Sequence, residues 1–217
     1  MAELLKNIEE KEEFFYLSGE CVRTYVTKRH EKIDVVLKSF LHPSYSGEMK
    51  VIGLDVEWHM SKEDTMNEVV PITKCATLNL CNGYSCIIIQ LLHFESIPAS
   101  LLNFLRMPDY IFVGVGIKDN LDKLEKQCGI RCKNAVELAP LAATVMKRPR
   151  LRDCGVEELA FAVADLKLRK FRPPDEIFED WGKSFISSNQ AKLAAINTFS
   201  YYKIGIRLLA ESDDYRY

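Results

Sequence analysis

The chain has 217 residues, 47% of them hydrophobic and 28% charged, which is the composition of a globular protein with a sizeable core and not of a disordered one. Its formal net charge of −2 excludes a protein that grips nucleic acid by bulk positive charge, while leaving room for a local basic groove. The seven cysteines are odd in number and include no Cys-x-x-Cys, which argues against a disulfide framework or a zinc ribbon and for a reducing compartment, nucleus or cytoplasm.

Residues 1–13 read as an acidic leader, mobile or helical, without the basic-then-apolar build of a signal peptide. A single domain over residues 14–217 is expected to follow. No apolar stretch approaches the ~20 residues of a membrane helix, so no membrane partner is expected. Cys21–Thr27 alternates as a strand does, and Glu31–Leu41 carries Ile33, Val36, Leu37 and Leu41 at helical spacing. His42-Pro43 through Gly47 breaks the chain. Strands are expected at Val51–Glu57, Cys75–Leu80 and Ser85–Leu91, the last two joined by the hairpin signal Asn82-Gly83. Residues 61–72 mix charges with a proline and read as a loop. Further on, Pro98–Leu105 reads as a helix, Tyr110–Val115 as a strand, Asp119–Cys128 as a helix stopped by Gly129, and Ala135–Leu138 as a short strand. Helices follow at Leu141–Lys147, Val156–Ala164 and Ser188 to about Glu211. Antiparallel strands first, then strands alternating with helices, predict an α/β fold with a mixed sheet flanked by helices.

Three segments can carry chemistry. In Val51–Trp58, strand alternation puts Ile52, Leu54 and Val56 on one face and Gly53, Asp55 and Glu57 on the other. Two carboxylates one strand repeat apart can share a hard divalent cation; taken alone, Asp-x-Glu is also the polar face of an edge strand. In Phe112–Leu124 a buried strand ends in Gly114-Val115-Gly116 and runs into a helix, where Asp119 or Asn120 can serve as an N-cap or face a ligand at the sheet's carboxyl edge. In the last segment, Ser187 or Ser188 caps a long helix, on which Leu193, Asn197 and Ser200 share a stripe.

Together, in this order and spacing, these segments resemble the Werner-type branch of the DEDD 3′–5′ exonucleases, whose fold is DnaQ-like (ribonuclease H-like). The plant Werner syndrome-like exonucleases are similar. Leu54-Asp55-Val56-Glu57-Trp58 resembles motif I, Val113–Ile117 with the following helix resembles motif II, and Trp181, Gln190 and Ala194–Phe199 resemble motif III. The likeness spans roughly residues 20–212 and implies an exonuclease-like domain that acts on single-stranded or 3′-end DNA or RNA. It also implies two-metal phosphodiester hydrolysis with Mg²⁺ or Mn²⁺ and, as in some relatives, a homo-oligomer.

Carried over position by position, Asp55 and Glu57 match the motif I acids and are the expected metal ligands. The motif II acid falls on Asn120, the motif III acid on Asn197, and the motif III tyrosine on Leu193. Asn can offer a carbonyl to Mg²⁺ but brings no charge, so a metal site here is expected to be weak. Asp119 beside Asn120 is the available substitute acid. Tyr201, two helical turns past Leu193, reads as out of reach, and His59 reads as a loop residue. The basic clusters Lys147–Arg152 and Lys167–Arg172 can track a phosphate backbone or be solvated surface. Two functions follow: an exonuclease weakened by its two amides, or a catalytically silent nucleic-acid-binding or assembly subunit of the same fold.

Overall fold

The computed structural model describes residues 11–41, 50–64, 69–173 and 179–212; the break expected at residues 42–47 lies outside them. Among the described residues, seven strands form one mixed sheet: β1 (Lys11–Leu17), β2 (Glu20–Thr27), β3 (Lys50–Asp64), β4 (Val69–Cys81), β5 (Ser85–Ile89), β6 (Tyr110–Gly114) and β7 (Ala135–Glu137). Their order is β1-β2-β5-β4-β3-β6-β7. β1 lies antiparallel to β2, and β3 and β5 lie antiparallel to β4; the β2–β5, β3–β6 and β6–β7 pairs are parallel.

Helices cover both faces. α1 (His30–Phe40), α2 (Ala99–Leu105) and α3 (Ile117–Cys128) bury Ile33, Leu37, Phe104 and Leu124 against Ile52, Leu54 and Val56 of β3. α4 (Leu138–Val145), α5 (Val156–Ala164) and the 24-residue α6 (Ser188–Glu211) bury Leu138, Leu159 and Ile204 against the opposite face. Strand alternation thus sends Ile52, Leu54 and Val56 to one layer and Val51, Gly53, Asp55 and Glu57 to the other, beneath α6.

The structure corrects two expectations. Lys11–Glu13 belong to β1 and not to a leader. Their acids sit on a hairpin whose turn, Ser18-Gly19, has both residues in the left-handed region (φ 51° and 86°), and Glu12 pairs across it with Arg23. Residues 61–64 and 69–72 are strand and not loop. β6 pairs with β3 only over Lys50–Gly53, and β5 with β4 only over Leu78–Cys81. Beyond Glu57, β3 and β4 therefore run on as a two-stranded ribbon. The far part of this ribbon, where Met60, Lys62, Pro71 and Thr73 are exposed, needs no apolar alternation, so its charges and Pro71 read as loop.

Gly53 sets how close α6 comes to the sheet. A Cβ at this position would stand 1.9 Å from the Thr198 carbonyl oxygen. Near the far end of the helix, a Cβ on Gly205 would lie 2.8 Å from Val113. Gly53→Ala is expected to push the helix backbone off β3 and cost about 2–3 kcal/mol, in the range of overpacked cores. Urea unfolding checks this; a variant within about 0.5 kcal/mol of the parent, the scatter of neutral surface changes, would mean the contact is soft.

Candidate active site

α6 begins at a capping box: the Gln190 amide N–H donates to Ser187 Oγ, and the Ser187 N–H donates back to the Gln190 side chain. Gln190 Nε2 also donates to the Asp180 carbonyl, so this polar residue has a structural task. The Asp180–Gly182 segment in turn packs against His59. That residue is part of β3, with its Nδ1 2.5 Å from Asp180 Oδ1 and its ring against Gly182. The Gly182 N–H, with His59 second, holds the Asp180 carboxyl below its usual range.

Two turns of α6 further in, Asn197 Nδ2 donates to Asp55 Oδ2 at 3.3 Å. Asp55 Oδ1 accepts from the Val56 N–H at 3.0 Å. On its other side, the Asn197 carbonyl oxygen accepts from Arg172 Nη2 at 2.8 Å. The same guanidinium faces Glu157 of α5, with Nη1 3.8 Å from Oε1, and its Nε is buried without a partner among the described residues. Asp55 is only 7% exposed and Glu57 is half-buried.

Burial drives the electrostatics. It pushes the Asp55 carboxyl up to about 6, against the Val56 N–H, Asn197 and Arg172, which pull it down. Burial first and the Asp55 charge second push the Glu57 carboxyl well above its usual range, again opposed by Arg172. Both acids are thus held toward the neutral form, and Arg172 is the cation that limits the effect. Tyr201, read from sequence as out of reach, is buried and feels the charges of Asp55, Glu57, Arg172 and Glu137, with burial raising its hydroxyl most. Leu193 is buried in the core below α6.

Asn120 and Asp119 sit in the first turn of α3. The N-cap of α3 is Gly116 (φ 66°), with no side-chain cap, so neither residue caps the helix. Instead Glu137 of β7 accepts the Gly116 N–H at 2.7 Å. Asn120 is half-buried in the first turn and Asp119 is exposed. Among the described residues, no hydrogen bond or ion pair joins either side chain to Asp55, Glu57 or Asn197. Of the basic clusters, Arg148, Arg150 and Arg152 are exposed, and only Arg172 of the second cluster enters the site. Its sequence signal was faint: the last arginine of a basic run, just before Pro173.

The donors decide whether two divalent cations fit. Asp55 and Glu57 bring two carboxylates, the Asn197 side-chain carbonyl already accepts from Arg172, and a guanidinium already supplies positive charge. Among the described residues, no group of three or more His, Cys, Asp or Glu is placed to hold a metal ion. As arranged, these residues do not fit the two-cation set that the motif resemblance implies.

No family model and no curated protein matches this sequence. Solved structures do. The catalytic core of RRP6 from Trypanosoma brucei aligns over 90% of this chain and 48% of its own, with TM-score 0.66 and 15% identity. RNase D from Escherichia coli, an exoribonuclease involved in structured RNA processing, aligns over 86% and 44%, with TM-score 0.68 and 16% identity. NrnC from Brucella melitensis aligns over 74% and 72%, with TM-score 0.58 and 13% identity. The chain spans about half the length of the first two. At these identities the likeness is one of fold: the mixed sheet is DnaQ-like, as the motif order implied.

Proposed function

We propose that this protein is a Werner-like member of the 3′–5′ exonuclease group that engages the 3′ ends of single-stranded nucleic acid and leaves the phosphodiester largely intact. The observation that carries this reading is Arg172. Its guanidinium stands where α5, α6 and β3 meet, holds Asn197 against Asp55, and keeps a buried Nε–H unpaired among the described residues. A planar cation whose side chain stays 21% exposed suits a phosphate oxygen, and binding through it requires no metal. The fold shared with an exoribonuclease and the motif order supply the nucleic-acid class; seven free thiols agree with a nuclear or cytoplasmic location.

The test is a pair of assays on one labelled single strand. Binding is followed by anisotropy in EDTA and in Mn²⁺, and shortening is followed on gels. Expected are binding that survives EDTA, stronger competition by a strand with a free 3′ end than by one with a blocked 3′ end, and at most slow shortening, faster with Mn²⁺ than with Mg²⁺ because Mn²⁺ accepts neutral donors more readily. Rapid Mg²⁺-driven shortening by the unaltered protein would overturn the reading, as would loss of all binding in EDTA.

A further inference from the structure

On the opposite face of the sheet from Asp55, two cysteines from different elements meet at the wall of an open cleft. Cys75 lies on β4 and is buried; Cys128 is the last residue of α3 and half-buried. The helix end is pinned beside the strand by Gln127. The Cys75 N–H donates to Gln127 Oε1 at 2.8 Å, and Gln127 Nε2 donates to the Thr73 carbonyl at 2.9 Å. Gly129, with φ 66°, turns the chain away immediately after Cys128. Both cysteines line a cleft of about 670 Å³ together with Lys74, Leu92, Phe94 and Ile97, so a small solute reaches them.

We propose that Cys75 and Cys128 are a peroxide-responsive thiol pair that closes to a disulfide between β4 and α3. This proposal is independent of the reading of the carboxylate cluster. Each thiol acts on the other: Cys75 holds Cys128 below the usual thiol range, at about 7, against its own burial, while Cys128 first and burial second push Cys75 far above it; Cys128 is also the more exposed of the two. That asymmetry sets the roles. The Cys128 thiolate attacks one oxygen of hydrogen peroxide; the O–O bond breaks, water leaves, and Cys128 becomes a sulfenic acid. The Cys75 sulfur then attacks the Cys128 sulfur and expels a second water, forming the S–S bond. Two thiols are oxidised by two electrons and one peroxide is reduced to two waters. The cross-strand pair Cys81 and Cys86 is the contrast: both are wholly buried, burial raises Cys81 most, and neither lines this cleft. The cross-link would tie the ribbon that extends from Glu57 to the helix that carries Asn120.

The test uses the reduced full-length protein and stoichiometric hydrogen peroxide. Expected are a fall in titratable thiols from seven to five, a proteolytic fragment joining the Cys75 and Cys128 peptides, and reversal by dithiothreitol. Cys128 should react roughly tenfold or more faster than exposed Cys21, the internal reference for an ordinary surface thiol. Cys75→Ser should arrest the reaction at a Cys128 sulfenic acid that dimedone captures. Cys128→Ser, at a half-exposed helix end, should abolish the cross-link. If Cys21 or Cys154 oxidises first, or if the unaltered protein yields no Cys75–Cys128 fragment under peroxide, the proposal is wrong, whatever the fate of the serine variants.

Discussion

Arg172→Gln is expected to destabilise the protein far more at pH 8 than at pH 5. Burial raises the Asp55 carboxyl to about 6 and Glu57 well above its usual range, and Arg172 pulls both down. The folded state therefore holds more protons than the unfolded chain once pH exceeds the unfolded aspartate value of about 3.9. Where the folded state binds more protons, stability falls as pH rises. For Asp55 that loss runs from about pH 4 to about 6 and then levels off; for Glu57 it extends higher. Removing the guanidinium raises both carboxyls further, so the loss continues to higher pH and levels off lower. At pH 5 Asp55 is largely protonated in parent and variant alike, and the difference between them shrinks. The variant also leaves the Asn197 carbonyl without its Arg172 donor, an effect of about 1–3 kcal/mol that does not depend on pH. Denaturant unfolding at the two pH values separates the contributions. An equal loss at both would show that Arg172 acts only by packing and neutral hydrogen bonding. Under the functional reading, the same variant should lose binding to single strands in EDTA.

The second large effect is a gain. Asn120→Asp with Asn197→Asp should raise Mn²⁺ affinity roughly tenfold or more and make hydrolysis of a single strand measurable. The carboxylate introduced by Asn197→Asp would stand where an amide now donates to Asp55 at 3.3 Å, so without metal two carboxylates would repel across a buried gap. The apo double variant should therefore melt below the parent above about pH 6, where Asp55 ionises, and Mn²⁺ should restore its stability by mass action. Leu193→Tyr should add activity only in that background, because an oriented water is useful only once a metal activates it; the three changes should be non-additive. Isothermal titration with Mn²⁺ and a gel assay read both outcomes. A double variant that binds no more metal than the parent would confine the likeness to exonucleases to the fold.

Much of the fold was legible because its elements bury one face. α5 and α6 have the expected bounds, the Asn82-Gly83 hairpin is present, and Gly129 ends α3, since apolar period and turn chemistry are local signals. The ribbon's far part was illegible for the opposite reason: past Trp58 and Cys75, which still pack on the core, Met60, Lys62, Pro71 and Thr73 are exposed, so the sequence carries no apolar alternation. At the site, alternation along β3 put Asp55 and Glu57 on one face, and the spacing of the motif resemblance put Asn197 with them. Arg172 and Tyr201 could not be placed this way. Arg172 reaches the cluster from a connection between helices, and Tyr201 shows its proximity only once α6 is seated on Gly53. The capping expected of Asp119 or Asn120 failed because the helix starts earlier, at Ile117 behind the left-handed Gly116, which puts both residues inside its first turn.

A Mn²⁺ titration of the unaltered protein, followed by electron paramagnetic resonance near pH 7, bears most directly on the claim that a guanidinium occupies the electrostatic place of the metals. The expected result is weak binding, in the millimolar range or poorer, that tightens in the Asn120→Asp, Asn197→Asp variant. Two Mn²⁺ ions held at micromolar concentration by the parent, with Arg172 and both asparagines in place, would contradict it.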